Sequence, residues 1–208
     1  MQNNTIVVIE DFITEELEQF LISLERQYPG NYRESLSAPG RMIRFGKFSL
    51  SEDLENDKEA IKRGYKTTQV RRSYSQMNDG IDVSVDRVPS EIEFIQEKLV
   101  ELGILKEPTP IVVLNVYGPG QRVARHQDHP DNGPLIPIIA LQSDSELIFT
   151  SPNKTKKKVV KFPRRSLLIM QGPLRETWFH ELPSIPTPRM SLIFRNIPKQ
   201  GEITNEDS

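Results

Sequence analysis

Cysteine is absent from the 208 residues. That excludes a disulfide scaffold, a cysteine-ligated zinc site and a thiol nucleophile together. Histidine is nearly absent as well. Any imidazole chemistry must use His126, His129 or His180. No apolar run approaches the roughly 18 residues of a membrane-spanning helix, so no membrane association is expected. The opening stretch MQNNTIVVIEDF has neither the basic start nor the long apolar centre of a secretory signal, which points to a cytoplasmic location with the nucleus as alternative. A dominant charge is also missing. Lys and Arg number 27 against 29 Asp and Glu, net −2, so the overall balance does not by itself ask for nucleic acid. What is present is enough apolar material, 36%, for one real core, and this excludes a disordered chain. Sixteen Pro and eleven Gly imply many turns and few long helices.

The first hundred residues and the rest differ in texture. Residues 5–9 (TIVVI) read as a short strand, and Thr14 can cap a helix running to Tyr28 with Leu17, Phe20, Leu21 and Leu24 on one face. Pro29-Gly30 stops it. Residues 31–88 are polar and irregular, with an acidic run at 52–59 and basic residues Lys62, Arg63, Lys66, Arg71 and Arg72. Within them, Met42–Phe48 and Tyr65–Tyr74 are candidate short strands. A second helix begins at Ser90, with Ser90 and Glu93 as a capping box. Ile92, Ile95, Leu99 and Leu102 form its apolar face, and Gly103 stands at its end. From residue 111 onward the pattern is β: IVVLNVY, LIPIIAL, ELIFT, KVVKF, RSLLIM, TWFHEL and RMSLIFR, punctuated by Gly, Pro, Asn and Asp. That spacing predicts an all-β double sheet or barrel rather than alternating βαβ units.

His126-Gln127-Asp128 is the sharpest chemical signal. Residues i and i+2 of a strand share a face, so imidazole and carboxylate can reach one metal ion. His180, inside another expected strand, is the candidate third ligand. Two His and one carboxylate leave open positions on an octahedral ion, the arrangement that suits non-haem Fe(II) and O2. Arg189, Ser191, Ile193 and Arg195 fall on one face of the last strand, and Met190, Leu192 and Phe194 on the other. The arginines are either solvated on a surface strand or buried, in which case they require an anion. Asn115 and Tyr117 likewise share a face just before the turn Gly118-Pro119-Gly120, either as a plain cross-strand pair or as polar groups feeding the site.

The ordered set is N-x-Y-x-x-G (115–120), H-x-D (126–128), PRRSLLIM-x-G-x-x-R-x-x-W-x-H (163–180) and R-x-S-x-x-x-R (189–195). It resembles the AlkB family of Fe(II)/2-oxoglutarate dioxygenases over 111–197. R-x-x-x-F-G at 41–46 adds weaker support, and 163–180 looks closest to eukaryotic-type homologues, including those acting on tRNA. The resemblance implies an α+β, mainly β fold: a double-stranded β-helix (jelly roll) with N-terminal helices packed on one side. Residues 1–110 would supply the helices and a substrate-recognition lid of the same domain, 111–198 the catalytic core, and 199–208 a flexible tail. It implies His126, Asp128 and His180 as iron ligands. Arg189, helped by Tyr117, would hold the distal carboxylate of 2-oxoglutarate, with Arg195 and Asn115 near its other end. Ser191 and Ile193 depart from the Asn and Thr of the best-known member, which touches fine cosubstrate contacts only. The cofactors implied are Fe(II), 2-oxoglutarate and O2.

The reaction implied is oxidative demethylation of N-alkylated bases in DNA or RNA, releasing formaldehyde, succinate and CO2, by a chain expected to be monomeric. Family members take a base into the pocket, which needs cations and aromatics. Candidate substrate residues are Arg41, Phe45, Tyr65, Arg71, Tyr74 and His129; His129 is otherwise a solvated loop residue. Seven cations in 154–165 are either phosphate contacts or a solvated hairpin tip. Two alternatives keep parts of this reading: hydroxylation or demethylation of a protein side chain with the same cofactors, or a non-catalytic cupin-like metal binder.

Overall fold

The computed structural model describes residues 6–28, 31–33, 40–46, 84–85, 87–128 and 132–195. Strand β1 (Val7–Ile9) leads into helix α1 (Glu15–Gln27). Thr14 caps that helix as its position predicts, its hydroxyl accepting from the Leu17 N–H at 3.3 Å. Leu21 and Leu24 are fully buried. Strands β2 (Asn31–Arg33), β3 (Gly40–Phe45) and β4 (Ser84–Val85) precede helix α2 (Ser90–Glu101). The strand expected from Met42 begins earlier, at Gly40, and positions 47–48 of that expectation lie outside the described residues. Gly46 follows β3, and its φ of +99° and close approach to the Pro110 carbonyl, 2.1 Å from a would-be Cβ, admit only glycine.

Helix α2 corrects two expectations. Ser90 is its first residue, not its cap. Pro89 stands outside with φ −57°, its carbonyl accepting from Ile92 and Glu93 at 2.9 and 3.0 Å, and Ser90 Oγ donates to Glu91 instead of entering a box with Glu93. The proline presets the turn into the helix one residue early. Leu102 is exposed, because the helix ends before it in a Schellman motif. Gly103 (φ +68°) donates to the Val100 carbonyl and Ile104 to the Leu99 carbonyl, both at 2.9 Å.

From Ile111 the chain is almost entirely antiparallel β, as the run spacing predicts. The strands are β5 (Ile111–Tyr117), β6 (Val123–His126), β7 (Leu135–Leu141), β8 (Ser145–Thr150), β9 (Lys157–Phe162), β10 (Leu167–Gln171), β11 (Phe179–Leu182) and β12 (Arg189–Arg195). A helical turn, α3 (Pro173–Glu176), interrupts the stretch before β11. Among the described residues the larger sheet runs β1-β10-β7-β12-β5-β3-β2, with β4 beside β3, and the smaller runs β6-β11-β8-β9. From β5 to β12 the strands alternate between the two sheets except at the β8–β9 hairpin, which is the jelly-roll winding. Because the N-terminal strands β1 and β3 pair with β10 and β5, the first part of the chain extends the larger sheet.

The strand alternation divides the core in two. One face of the larger sheet (Val112, Leu114, Ile139, Leu141, Met190, Leu192, Phe194) packs on Leu21 and Leu24 of α1 and Ile92, Ile95 and Leu99 of α2. The opposite face packs Ile136, Ile138, Ala140, Leu168 and Met170 against Leu147, Phe149, Val160, Phe162 and Leu182 of the smaller sheet. The resulting order is helices, larger sheet, smaller sheet.

Candidate metal and cosubstrate site

The inner face of the smaller sheet places two imidazoles side by side. His126 ends β6, His180 lies in β11, and the two are direct cross-strand partners, with ring centroids 4.3 Å apart and tilted by 52°. Phe149 of β8 continues the row, its ring 5.8 Å from that of His180. Asp128 Oδ2 lies 3.5 Å from His180 Nε2, and one ligand atom from each of His126, Asp128 and His180 lies within 4.8 Å of the others. The three groups can therefore meet one ion.

Their meeting does not follow from the in-strand argument alone. β6 stops at His126, so Asp128 lies beyond the strand. Its backbone is positioned by the neighbouring segment: Arg175 of α3 donates to the Asp128 carbonyl at 3.2 Å, and Gln127 Nε2 to the Thr177 carbonyl at 2.7 Å. Arg175, 5% exposed, is a site residue that the sequence reading passed over although it stands in the quoted G-x-x-R-x-x-W-x-H stretch.

Protonation suits a cation. His126 Nδ1 lies 2.8 Å from the Ala124 carbonyl. A carbonyl only accepts, so Nδ1 carries a hydrogen and Nε2 is the nitrogen left to face a metal. Burial drives the His180 pKa down to about 4, outweighing the pull of Asp128 in the other direction, so this ring is neutral at pH 7. Burial would raise the Asp128 pKa. The nearby His180 and His126 rings and the Arg195 and Arg175 guanidinium groups more than offset it and hold the carboxyl below its usual value. A neutral His180 imidazole beside an ionised Asp128 carboxylate results.

The facing sheet carries the complementary group. β12 and β5 pair in a register that sets Arg189 opposite Tyr117 and Ser191 opposite Asn115, all turned toward the smaller sheet. Asn115, Tyr117, Arg189 and Ser191 are buried, and Arg195 is half-buried. Both faces of β12 are covered, so the solvated-strand alternative is excluded. Arg189 is 2% exposed; its Nε donates to Ser145 Oγ at 3.0 Å, and its guanidinium lies 5.4 and 6.0 Å from the Phe162 and Tyr117 rings. Burial pulls its pKa down to about 10, which still leaves it charged at neutral pH. Among the described residues no carboxylate pairs with it. A buried, singly hydrogen-bonded cation of this kind is costly unless an anion completes it. A dicarboxylate reaching from the His–Asp–His cluster would do so, so the donor set fits iron and 2-oxoglutarate. Ser145 was missed by sequence reading. It opens β8 without any motif, and only folding brings it to Arg189.

The expected substrate residues fare differently. Arg41 donates to the Glu25 and Tyr28 carbonyls at 2.8 and 2.5 Å, closing the C-terminal end of α1. Phe45 is wholly buried in the helix-side core, edge-on to Tyr28 at 5.5 Å, and so cannot stack on a base. Tyr65, Arg71, Tyr74 and His129 lie outside the described residues.

Comparison with known proteins adds an independent line. Residues 5–200 match the 2OG-Fe(II) oxygenase superfamily. A Xenopus tropicalis protein named tRNA (carboxymethyluridine(34)-5-O)-methyltransferase alkbh8 is 30% identical over 149 residues, 68% of this chain but 23% of its own length. The Mus musculus protein of that name is 33% identical over 103 residues, 49% of this chain and 15% of its own length. The chain thus spans about a quarter or less of these curated relatives. Among solved structures, OsALKBH1 superposes with a TM-score of 0.51 at 16% identity, covering 92% of this chain and 97% of that one. A Pseudomonas putida prolyl-4-hydroxylase does so with a TM-score of 0.51 at 13% identity, covering 92% of each. At such identities the superpositions speak to the jelly-roll fold.

Proposed function

This chain belongs to the 2OG-Fe(II) oxygenase superfamily, and from that premise we propose that it is AlkB-like and oxidatively demethylates N-alkylated bases in nucleic acid, RNA before DNA. One observation carries the oxygenase part: the His126–Asp128–His180 cluster faces a buried Arg189 that has no carboxylate partner among the described residues. The nucleic-acid part rests on the ordered motifs of 111–197 and on the curated relatives, whose names refer to tRNA.

In this reading His126 and His180 offer lone pairs and Asp128 a negative charge to Fe(II), which with 2-oxoglutarate and O2 supplies C–H oxidation. Arg189 fixes the distal carboxylate of the cosubstrate, oriented by Ser145 and flanked by Tyr117. Ser191 and Asn115 line the path between, and Arg195 neutralises charge near Asp128. Apolar Ile138, Ala140 and Phe149 exclude water from the same space. A hydroxylated N-methyl group then loses formaldehyde without further help from the protein. Residues 1–110 are proposed to contribute the lid over this opening.

Purified protein given Fe(II), 2-oxoglutarate and methylated RNA and DNA oligonucleotides should release formaldehyde in step with succinate. Succinate formed on methylated peptides but on no nucleic acid would replace the substrate class and keep the oxygenase. No 2-oxoglutarate turnover with any substrate, together with no Fe(II) binding, would return the chain to a non-catalytic role.

A further inference from the structure

The edge of the smaller sheet carries a charge asymmetry that the oxidation does not use. Between Glu146 and Glu176 the chain contains no Asp or Glu, but it has Lys154, Lys156, Lys157, Lys158 and Lys161 and three arginines. The arginines are engaged: Arg164 with Glu15 and Glu18, Arg165 with Asp11 and Glu15, Arg175 with the Asp128 carbonyl. The five lysines are exposed, and among the described residues none pairs with a carboxylate. Lysines on an edge strand such as β9 guard against strand addition. That does not account for what lies beyond the strand's end.

There the β8–β9 turn and the segment before β11 line an open depression of about 310 Å³, formed by Ser151, Pro152, Asn153, Thr155, Lys156 and Trp178. The turn is rigid. Ser151 and Lys156 are tied by backbone and side-chain bonds of 2.9 Å, and Asn153 Oδ1 accepts from Ser151 Oγ and Thr155 Oγ1 at 2.8 Å. Trp178, the sole tryptophan of the chain, is half-buried and packs on the inter-sheet core two residues before His180. The adjacent Phe179 pairs with Thr150, so the depression, which starts at Ser151 and Trp178, lies two residues along the strands from the His126–His180–Phe149 row. The same row ends on β9 at Lys158.

We infer that this depression is a subsite for single-stranded nucleic acid. A base flanking the target stacks on Trp178 while Lys154, Lys156, Lys157 and Lys158 meet the phosphates. The inference rests on the nucleic-acid reading proposed above and gives it a location. An aromatic wall beside unpaired lysines is the combination that single strands require. An acidic peptide would use the lysines and leave the ring idle. A base held in a duplex stack has no free face to lay on Trp178. The subsite sets the register of the strand, placing the neighbouring nucleotide over the metal ligands.

Because Trp178 is the only tryptophan, its emission reads occupancy directly. Titration with short unmethylated oligouridine and oligothymidine should quench it saturably, with affinity falling steeply as salt rises. The combined variant Lys154→Ala, Lys156→Ala, Lys157→Ala, Lys158→Ala should keep its melting temperature, bind about tenfold or more weakly, and lose roughly 3 from the log–log salt slope. Trp178→Phe should retain part of the affinity, since a smaller ring still stacks. Preference between the two oligomers assigns RNA or DNA. If an end-labelled oligonucleotide binds without altering Trp178 emission, or binds the lysine variant equally well, the subsite is wrong. Demethylation by the same wild-type protein would then keep the parent reading. If the wild type neither binds nor demethylates any oligonucleotide, the parent reading fails and takes the subsite with it.

Discussion

Arg189 keeps a full charge inside the sandwich with one serine hydroxyl and two aromatic rings for company. Such a group destabilises the empty protein and favours the ligand-bound one. Arg189→Met should therefore leave the melting temperature of the apoprotein equal or higher while weakening 2-oxoglutarate by about ten- to a hundredfold, read as KM for the cosubstrate. A lower melting temperature with unchanged KM would assign the residue to structure. His180 has a definite sign as well. Its folded pKa, about 4, lies below the ordinary 6.5, so the unfolded chain binds more protons between those values. Stability of the metal-free protein should fall as pH drops from about 6.5 toward about 4, and a His180→Gln variant should lack that component in urea melts. Asp128, whose pKa is lowered from 3.8, adds a loss in the same direction at still lower pH. At this scale the sequence was readable wherever residue type and spacing define chemistry, as for His126, Asp128 and His180. Ser145 and Arg175 were not readable as partners, because their roles consist of whom they meet.

Helix α1 is fastened to the sandwich by a carboxylate. Glu18, fully buried, accepts from the Gln142 N–H at 2.8 Å and from Arg164 Nε at 3.1 Å, joining the helix to the β7–β8 and β9–β10 turns. Glu18→Ala strands the Gln142 N–H, and thermal or urea unfolding should show a loss of about 1–3 kcal/mol. β3 supplies a second case. Phe45→Ala empties a filled core position and should cost about 3–5 kcal/mol with no change in KM for 2-oxoglutarate in the folded fraction. A lid aromatic would behave in the opposite way, losing substrate affinity and keeping stability. Both helices were legible from their apolar periodicity, and α1 from its threonine cap. The box at Ser90 was misplaced because Pro89 starts the turn itself. Strand β6 has no alternating run to betray it, and α3 is a single turn, too short for periodicity. The period-2 pattern of β12 gave the correct faces, but whether Arg189 sees solvent depends on the second sheet.

Larger pairings lie beyond local pattern altogether. Nothing in the run spacing tells that β12 sits between β5 and β7, or that β1, from the start of the chain, closes on β10. The jelly-roll expectation came from the order of motifs, and the pairing agrees with it. Since the cluster requires both β6 and β11, Mn(II) with 2-oxoglutarate should raise the melting temperature. The gain is roughly 2.7 kcal/mol of stability at about a hundredfold excess over Kd, and a His180→Ala variant should show none of it. His126 and His180, the proposed metal ligands, belong to one sheet, and Arg189, the proposed carboxylate anchor, to the other. Turnover is thus a ruler for the gap between the layers. A partly assembled chain with its helices and one layer in place has half a vice and grips nothing, so loss of oxidation along a denaturant series should coincide with the parting of the layers and precede any fading of helical signal.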